Sequence, residues 1–334
     1  MTVVLPALNA EDYIGVCLAS LTRQFEDPSE LEVLLVDDGS TDSTGDVAQG
    51  YRTKGLPGLV VLRNDTPIGA AECRNRALGG ASGRYIAYVD ADDWLAPGHL
   101  PSLVRSIRHH GCGFVRTDQI RITGSARVLR RAPEPRRGVV LPARDSILPV
   151  GEQTMVDYAY VWAGLYDASM AQDGFLSFES GLQVAADRPW VWRLHLDGPS
   201  FAVVDAPGYC YRRGVTDSLT QILDLRRLDF VPAFLRAKQI LDQDRDAELF
   251  LPKLARAVTA IVQHHLLATP DMAPSVVDEL VRKSRQLLRA FPDEQLRGQL
   301  EKTPQERQFL LGRLLDGTFT PDDVPHARDE RRSA

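Results

Sequence analysis

Cysteine is scarce and scattered in this 334-residue chain: Cys17, Cys73, Cys112 and Cys210 form no C-x-x-C pair and no Cys/His spacing. Buried or half-buried free thiols are therefore expected rather than a zinc site. No run of about 18 apolar residues is available to span a bilayer. Neither G-x-G-x-x-G nor G-x-x-x-x-G-K-[ST] follows a strand candidate, which argues against hydride transfer on a dinucleotide and against P-loop phosphoryl transfer. A basic excess is missing too, since the net charge is −6, and nucleic acid is not an expected partner. The N-terminus opens as a strand candidate, Thr2-Val3-Val4-Leu5, without the basic start and apolar run of a signal peptide. A cytoplasmic location is the expectation.

What is present is ordinary globular material, 44% hydrophobic and 25% charged, long enough for about two domains. Its organising stretch is Tyr85-Ile86-Ala87-Tyr88-Val89-Asp90-Ala91-Asp92-Asp93-Trp94, an apolar strand running into three carboxylates. Hard divalent cations take oxygen ligands and keep positions open for substrate phosphates. Asp90-Ala91-Asp92 is thus a candidate clamp for Mn²⁺ or Mg²⁺ and a diphosphate, set against the plainer reading of an Asp-rich turn.

The preceding residues repeat this design. Residues 2–5 read as a strand closed by Pro6, followed by a helix carrying Ile14, Leu18 and Leu21 with Asn9 as its cap. Leu31–Val36 reads as a second strand ending in Asp37-Asp38-Gly39-Ser40-Thr41-Asp42, with Ser40 or Thr41 capping a helix to about Tyr51. Leu59–Leu62 reads as a third, closed by Arg63-Asn64-Asp65, and Gly69–Leu78 as another helix. Strands alternating with helices predict a doubly wound, mostly parallel α/β sheet, whose ligand crevice lies at the carboxyl ends of the strands. Four polar clusters would share that rim. A carboxylate at the second strand suits the imide or ribose of a nucleotide, and Asp90-Ala91-Asp92 suits a metal-bound diphosphate, so a sugar nucleotide fits both halves.

Pro6-Ala7-Leu8-Asn9, Val36-Asp37-Asp38-Gly39-Ser40-Thr41-Asp42, Cys73-Arg74-Asn75 and Asp90-Ala91-Asp92-Asp93 resemble, in order, the motifs of the family 2 glycosyltransferases with the GT-A fold. The resemblance implies a Rossmann-like sheet flanked by helices, with Pro6 and Asp38 lining the nucleoside pocket, Asn64 and Arg74 near the nucleotide, and Asp92 as the metal ligand. Asn9, Asp90 and Ala91 belong to the same expected donor-binding set, Asp90 supporting the nucleotide end. Asp93 is expected either to contact a sugar hydroxyl or to cap the turn at Trp94. Cys73 replaces the family's usual Ala, a small-for-small change.

Further along, Trp162-Ala163-Gly164-Leu165-Tyr166 is similar to the family's W-x-x-L-Y segment, and Asp187 matches the second member of its acidic pair, which assigns it the general base. Ala186 stands where the first acid would be. An inverting transfer needs one such carboxylate to take the acceptor hydroxyl's proton; the alternative is a first-turn aspartate that favours the helix dipole. Trp190 and Trp192 could wall a sugar site or belong to the core. The stretch Gly208–Arg213 with Asp217-Ser218-Leu219-Thr220 resembles the close of the catalytic domain, where Arg212 or Arg213 would reach the diphosphate or stand as an exposed pair.

Residues 1–221 are thus expected to form the catalytic domain, 1–100 for the nucleotide and 101–221 for the acceptor. Within it, 123–146 reads as a long surface excursion. Its arginines, Arg121, Arg127, Arg130, Arg131, Arg136 and Arg137, read as solvated surface, or as a site for an anionic acceptor or membrane surface. His109 and His110 read as structural or solvated, and His264 and His265 as structural. Helical periodicity over 222–317 predicts an appendage for homo-oligomerisation, support or acceptor binding, and 318–334 a frayed tail. The expected activity is metal-dependent transfer from a nucleoside diphosphate sugar, UDP-linked in the first instance, to a carbohydrate or polyol hydroxyl, in cell-wall or surface polysaccharide synthesis and near the membrane periphery. A nucleotidyltransferase would show a glycine-rich loop after the first strand, and a non-catalytic sugar-nucleotide-binding protein finds support in the missing acid at 186.

Overall fold

Four near-continuous apolar runs at the start of the chain become parallel strands, three of them buried along nearly their whole length and the third in sequence, Leu59–Arg63, a partly exposed edge. A computed structural model describes residues 1–214 and 224–324. Asp217, Ser218, Leu219 and Thr220 lie outside the described residues, as do residues 325–334 of the expected tail. The described chain begins with β1 (Thr2–Ala7), α1 (Glu11–Leu21), β2 (Glu32–Asp37), α2 (Thr44–Gln49), β3 (Leu59–Arg63), α3 (Ala70–Gly79) and β4 (Tyr85–Tyr88). These strands lie in the order β3-β2-β1-β4, all parallel. β1 runs through Pro6 rather than stopping there. Its pairing with β4 ends at Val4, and Pro6 lies beside Val36 of β2, so the missing proline N–H is not required by β4.

The next elements are β5 (Trp94–Leu95), α4 (His99–His110), β6 (Phe114–Thr123), β7 (Ala126–Arg130), β8 (Gly164–Asp167), α5 (Asp187–Asp197) and β9 (Phe201–Arg213). β8 pairs antiparallel with both β4 and β6, and β9 runs parallel to β6 over nearly its whole length. The sheet is mixed, parallel on the side of the first motifs, with helices flanking it. β7 corrects the reading of 123–146 as an irregular excursion: Gly124 turns β6 back on itself, with Thr123 paired to Ala126. The hairpin was hidden because β7 has no buried residue, so no alternation of apolar and polar positions marks it.

Two compact units divide the chain, one of Met1–Ile147 with Gln153–Ser218 and one of Leu148–Glu152 with Leu219–Ala334. The first holds the sheet. The second contains α6 (Phe230–Asp242), α7 (Ala247–Leu266), α8 (Pro274–Arg289), α9 (Asp293–Leu300) and α10 (Gln305–Asp316). In it, buried Lys253 donates to the Glu152 carbonyl at 2.6 Å, and the His265 ring stacks on Phe230 at 4.1 Å while accepting from Arg227 Nε. His265 is a structural group.

Trp190 and Trp192 are fully buried and wall no site. Trp190 stacks on Phe178 at 5.7 Å and meets Tyr88 and Tyr166 edge-on, an aromatic core that seats α5 against the sheet. Three imidazoles are also enclosed. Burial lowers His99 to about 4, and His195 and His265 to about 3, the last two helped by nearby Arg116 and Arg227 respectively. Below about pH 6.5 the unfolded chain takes up protons that these rings refuse, so stability is lost as pH falls towards 4, at about 1.4 kcal/mol per pH unit for each ring. Thermal melts between about pH 7 and about pH 5 should show the midpoint descending through this window; a flat profile would contradict the neutral buried rings.

Candidate functional site

Each strand of the parallel half ends in a polar loop, and the loops are bonded to one another before any ligand arrives. Asp37, at the end of β2, is buried and forms an ion pair with Arg63, while accepting from Ser40 N at 2.9 Å. Asp38 is 3% exposed and accepts from Asn64 Nδ2 at 2.7 Å and from the backbone N–H groups of Ile68 and Gly69 at 2.8 Å. Desolvation would raise its pKa, but these donors outweigh it and hold the carboxyl below its ordinary value. The Cys73 thiol is a further donor, so the roughly four acceptor positions of Asp38 are largely taken by protein.

The sequence pattern explains the geometry. Gly39 has φ +76°, and a Cβ there would lie 3.2 Å from Pro67; Gly69, at φ +95°, turns its N–H onto Asp38. Asn64 spends its other end on Arg76, whose guanidinium also donates to Arg63 O at 2.9 Å. Asn9 is not the cap of α1, which begins after Ala10 without a side-chain cap. Instead Asn9 sits at φ +46°, accepts from Thr41 N at 2.9 Å and donates its own N–H to Ser40 Oγ at 3.0 Å. It ties the first loop to the second. Likewise Asp42, not Ser40 or Thr41, accepts from Thr44 N at the start of α2. An Asx-type residue can bond forwards or sideways, and one-dimensional spacing does not distinguish the two.

The loop after β4 carries the carboxylates of the organising stretch, and they part into different environments. Asp93 is 1% exposed. It accepts from Tyr209 Oη at 2.8 Å and from Arg212 N at 2.7 Å, and Tyr209 Oη in turn accepts from Asp90 N at 3.1 Å. Asp93 is thus neither a sugar contact nor a turn cap but the anchor of β9. Burial, with Asp92 and Asp90 adding to it, pushes its pKa well up.

Asp90 accepts from Arg74 Nη2 at 2.7 Å, and the Arg74 guanidinium lies over the Phe178 ring at 5.4 Å. Asp92 is half-buried, and among the described residues no hydrogen bond from another residue reaches its carboxyl group. Desolvation and the Asp90 charge raise it to about 6. Arg212 donates from Nε to the Asp92 carbonyl at 2.8 Å while its guanidinium lies over Trp94 at 4.7 Å and Tyr13 at 5.2 Å. Arg213 is exposed and turned to Tyr211 Oη at 3.1 Å.

Asp187 opens α5, a hundred residues away in sequence yet within electrostatic reach of Arg74 and Asp90. Asn75, on α3, supplies the connection: it donates to Phe178 O at 2.9 Å and accepts from Phe178 N at 2.7 Å. The backbone just before the helix is strained, with Ala185 at φ +62°. The Asp187 side chain is 32% exposed. Desolvation raises its pKa, opposed by Arg188 and Arg74.

Asp38, Asn64, Arg74, Asp90, Ala91, Asp92 and Arg212 therefore fall on the rim formed by the ends of β2, β3, β4 and β9, with buried Pro6 and the Asn9 loop beside them. The residue that sequence reading underrated is Tyr209, whose hydroxyl joins Asp90 to Asp93. Its place in the Y-x-Y-R stretch was the available signal.

This rim lies on a mixed sheet of the GT-A type. Residues 2–164, just under half of the chain, match the family model of glycosyl transferase family 2. It is 26% identical over 324 residues to the uncharacterized glycosyltransferase EpsJ of Bacillus subtilis, covering 93% of this chain and 89% of that one. It is 26% identical over 215 residues to the poly(ribitol-phosphate) beta-N-acetylglucosaminyltransferase TarS of Staphylococcus aureus, covering 63% of this chain but only 35% of that protein. The crystal structure of S. aureus TarS 1-349 in complex with UDP-GlcNAc superposes with a TM-score of 0.75 at 19% identity, over 99% of this chain and 91% of that one, and this likeness gives the fold.

Tyr209→Phe should cost about 1–3 kcal/mol, because it removes the donor to a buried carboxyl and the acceptor of Asp90 N. A chemical denaturation midpoint unchanged from wild type would show that the Asp90–Tyr209–Asp93 link contributes nothing.

Proposed function

We propose that this protein transfers a sugar, with inversion, from a UDP-sugar to a hydroxyl of a carbohydrate or polyol acceptor in a cell-wall or surface polymer, with Asp187 as the general base. The observation that carries the reading is the division among the clustered carboxylates. Asp37, Asp38 and Asp93 are committed to protein donors, while Asp92 and Asp187 retain free acceptor capacity. The donor class is supported by the relatives named above, which include a protein solved with UDP-GlcNAc.

Asp92 suits a divalent cation by its donor type. It offers carboxylate oxygens, it lies beside Asp90, and the mutual repulsion and desolvation that lift it to about 6 are relieved by positive charge. Among the described residues no group of three or more His, Cys, Asp or Glu side chains forms a closed metal cage. Mg²⁺ and Mn²⁺ sites on phosphates often use one or two carboxylates and complete the shell with substrate oxygens. A bound ion would offset the charge that develops on the leaving diphosphate.

The chain's own residues do the rest. The Asp38-held loop and Pro6 form the nucleoside side. Arg74 keeps Asp90 oriented, and Arg212 fixes the Asp92 backbone from behind. At Asp187, the acceptor hydroxyl gives up its proton to the carboxylate as its oxygen bonds to the anomeric carbon and the sugar–diphosphate bond breaks. A carboxyl raised above its ordinary value is a stronger base than a solvated aspartate, and Arg188 and Arg74 oppose the rise.

Asp187→Asn should leave UDP binding within about twofold of wild type and lower kcat by about a thousandfold or more, since a single general base contributes on the order of 10²–10⁴. Unimpaired transfer by this variant would refute the base assignment. Asp92→Ala should abolish the Mn²⁺-dependent part of UDP binding in calorimetry; undiminished Mn²⁺ enhancement would remove Asp92 from the metal site.

A further inference from the structure

Three arginines with no part in the proposed transfer share one stripe of α8. The helix buries Val276, Val277, Leu280, Ser284, Leu287 and Leu288 on one side. Arg282, Arg285, Gln286 and Arg289, at i, i+3, i+4 and i+7, form the opposite side. With Ala290 they line a cavity of about 490 Å³, and no aspartate or glutamate is among its lining residues. A space of that size takes a small organic ligand rather than a lone ion.

The three guanidinium groups are not equivalent. Arg282 is spent on Glu279, which accepts from its Nε at 2.7 Å and its Nη2 at 2.6 Å. Arg285 reaches across to α10, where its Nη2 lies 3.4 Å from the Leu315 carbonyl, and its Nε is enclosed without a partner among the described residues. Its guanidinium rests against Gly317, which ends α10 at φ +81°; a Cβ there would lie 3.1 Å from Nη2. Arg289 is exposed and has no ion-pair partner among the described residues. Helix C-termini favour nearby cations, which explains why arginines are tolerated at the ends of α8 and α10. It does not explain a concave wall of them without a carboxylate.

We propose that this stripe of α8 is a binding site for a phosphate group, held between Arg285 and Arg289 and carried by a soluble phosphorylated molecule or by a lipid headgroup. Side chains at i and i+4 stand about 5–6 Å apart at Cβ, so the two open guanidinium forks converge on one group, with the Gln286 amide as a further donor. A single fork saturates a carboxylate, as Arg282 does with Glu279. Two forks and an amide suit the larger oxygen set of a phosphate. The site belongs to the helical unit alone and does not depend on the transfer reading.

The test titrates the full chain, in metal-free buffer, with pyrophosphate by calorimetry, and sediments it with vesicles of phosphatidylglycerol or of phosphatidylcholine alone. Arg285→Gln/Arg289→Gln should weaken the binding of pyrophosphate, or of phosphatidylglycerol vesicles, by about tenfold or more and flatten its salt dependence. Glu279→Gln should strengthen it by about two- to threefold, because Arg282 is released from its carboxylate. Arg245→Gln, which removes an exposed charge outside the stripe, should behave as wild type. Should the double variant melt early, Arg289→Gln, at an exposed position, should still weaken binding measurably. Saturable pyrophosphate binding that the double substitution removes assigns the phosphate to a soluble molecule. Binding to phosphatidylglycerol but not phosphatidylcholine vesicles, removed in the same way and without pyrophosphate binding, assigns it to a lipid headgroup. Neither signal, or equal affinity in wild type and the double variant, would overturn the site.

Discussion

The carboxylate rim depends on one buried hydroxyl. Tyr209 Oη lies between Asp93, to which it donates, and Asp90 N, from which it accepts, so the loop after β4 is held by a residue from the last strand of the sheet. Like charges brought this near repel, and the cost is met locally: Asp93 is deeply enclosed with its pKa pushed up, while Asp90 is matched by Arg74. Asp92 is left as the carboxylate with open capacity. If the loop were free to relax, the three side chains would separate and that asymmetry would vanish.

The same economy governs the second strand end. Asp37 and Asp38 look equivalent in sequence, but one neutralises Arg63 and the other gathers two backbone amides and Asn64. Both are structural before they are functional. The loops at the ends of the parallel strands are thus preorganised by hydrogen bonds among themselves, which limits the ordering a ligand would have to impose.

Much of this was legible in sequence where local physics and position coincide. Apolar runs ending in polar clusters revealed the parallel strands and their common rim, and the resemblance to the family 2 glycosyltransferases agrees with the family match and the GT-A fold. What escaped was whatever depended on partners distant in the chain. Asn9 reads as a cap until Thr41 and Ser40 are seen beside it. The two tryptophans of α5 read as core or as the wall of a site until Phe178 and Tyr88 cover one of them. β7 has no inward face, so its sequence carries no period from which a strand could be inferred.

Asn75 carries one more consequence. Its side-chain amide pairs with both backbone groups of Phe178, and Phe178 in turn supports Arg74 on one side and Trp190 on the other. α3 and the segment leading to Asp187 are therefore coupled like two arms of a lever on a single pivot. A displacement of α3 would be transmitted to the start of α5 without any loop having to close, and the spacing between Arg74 and Asp187 becomes a mechanical property of one amide and one aromatic stack.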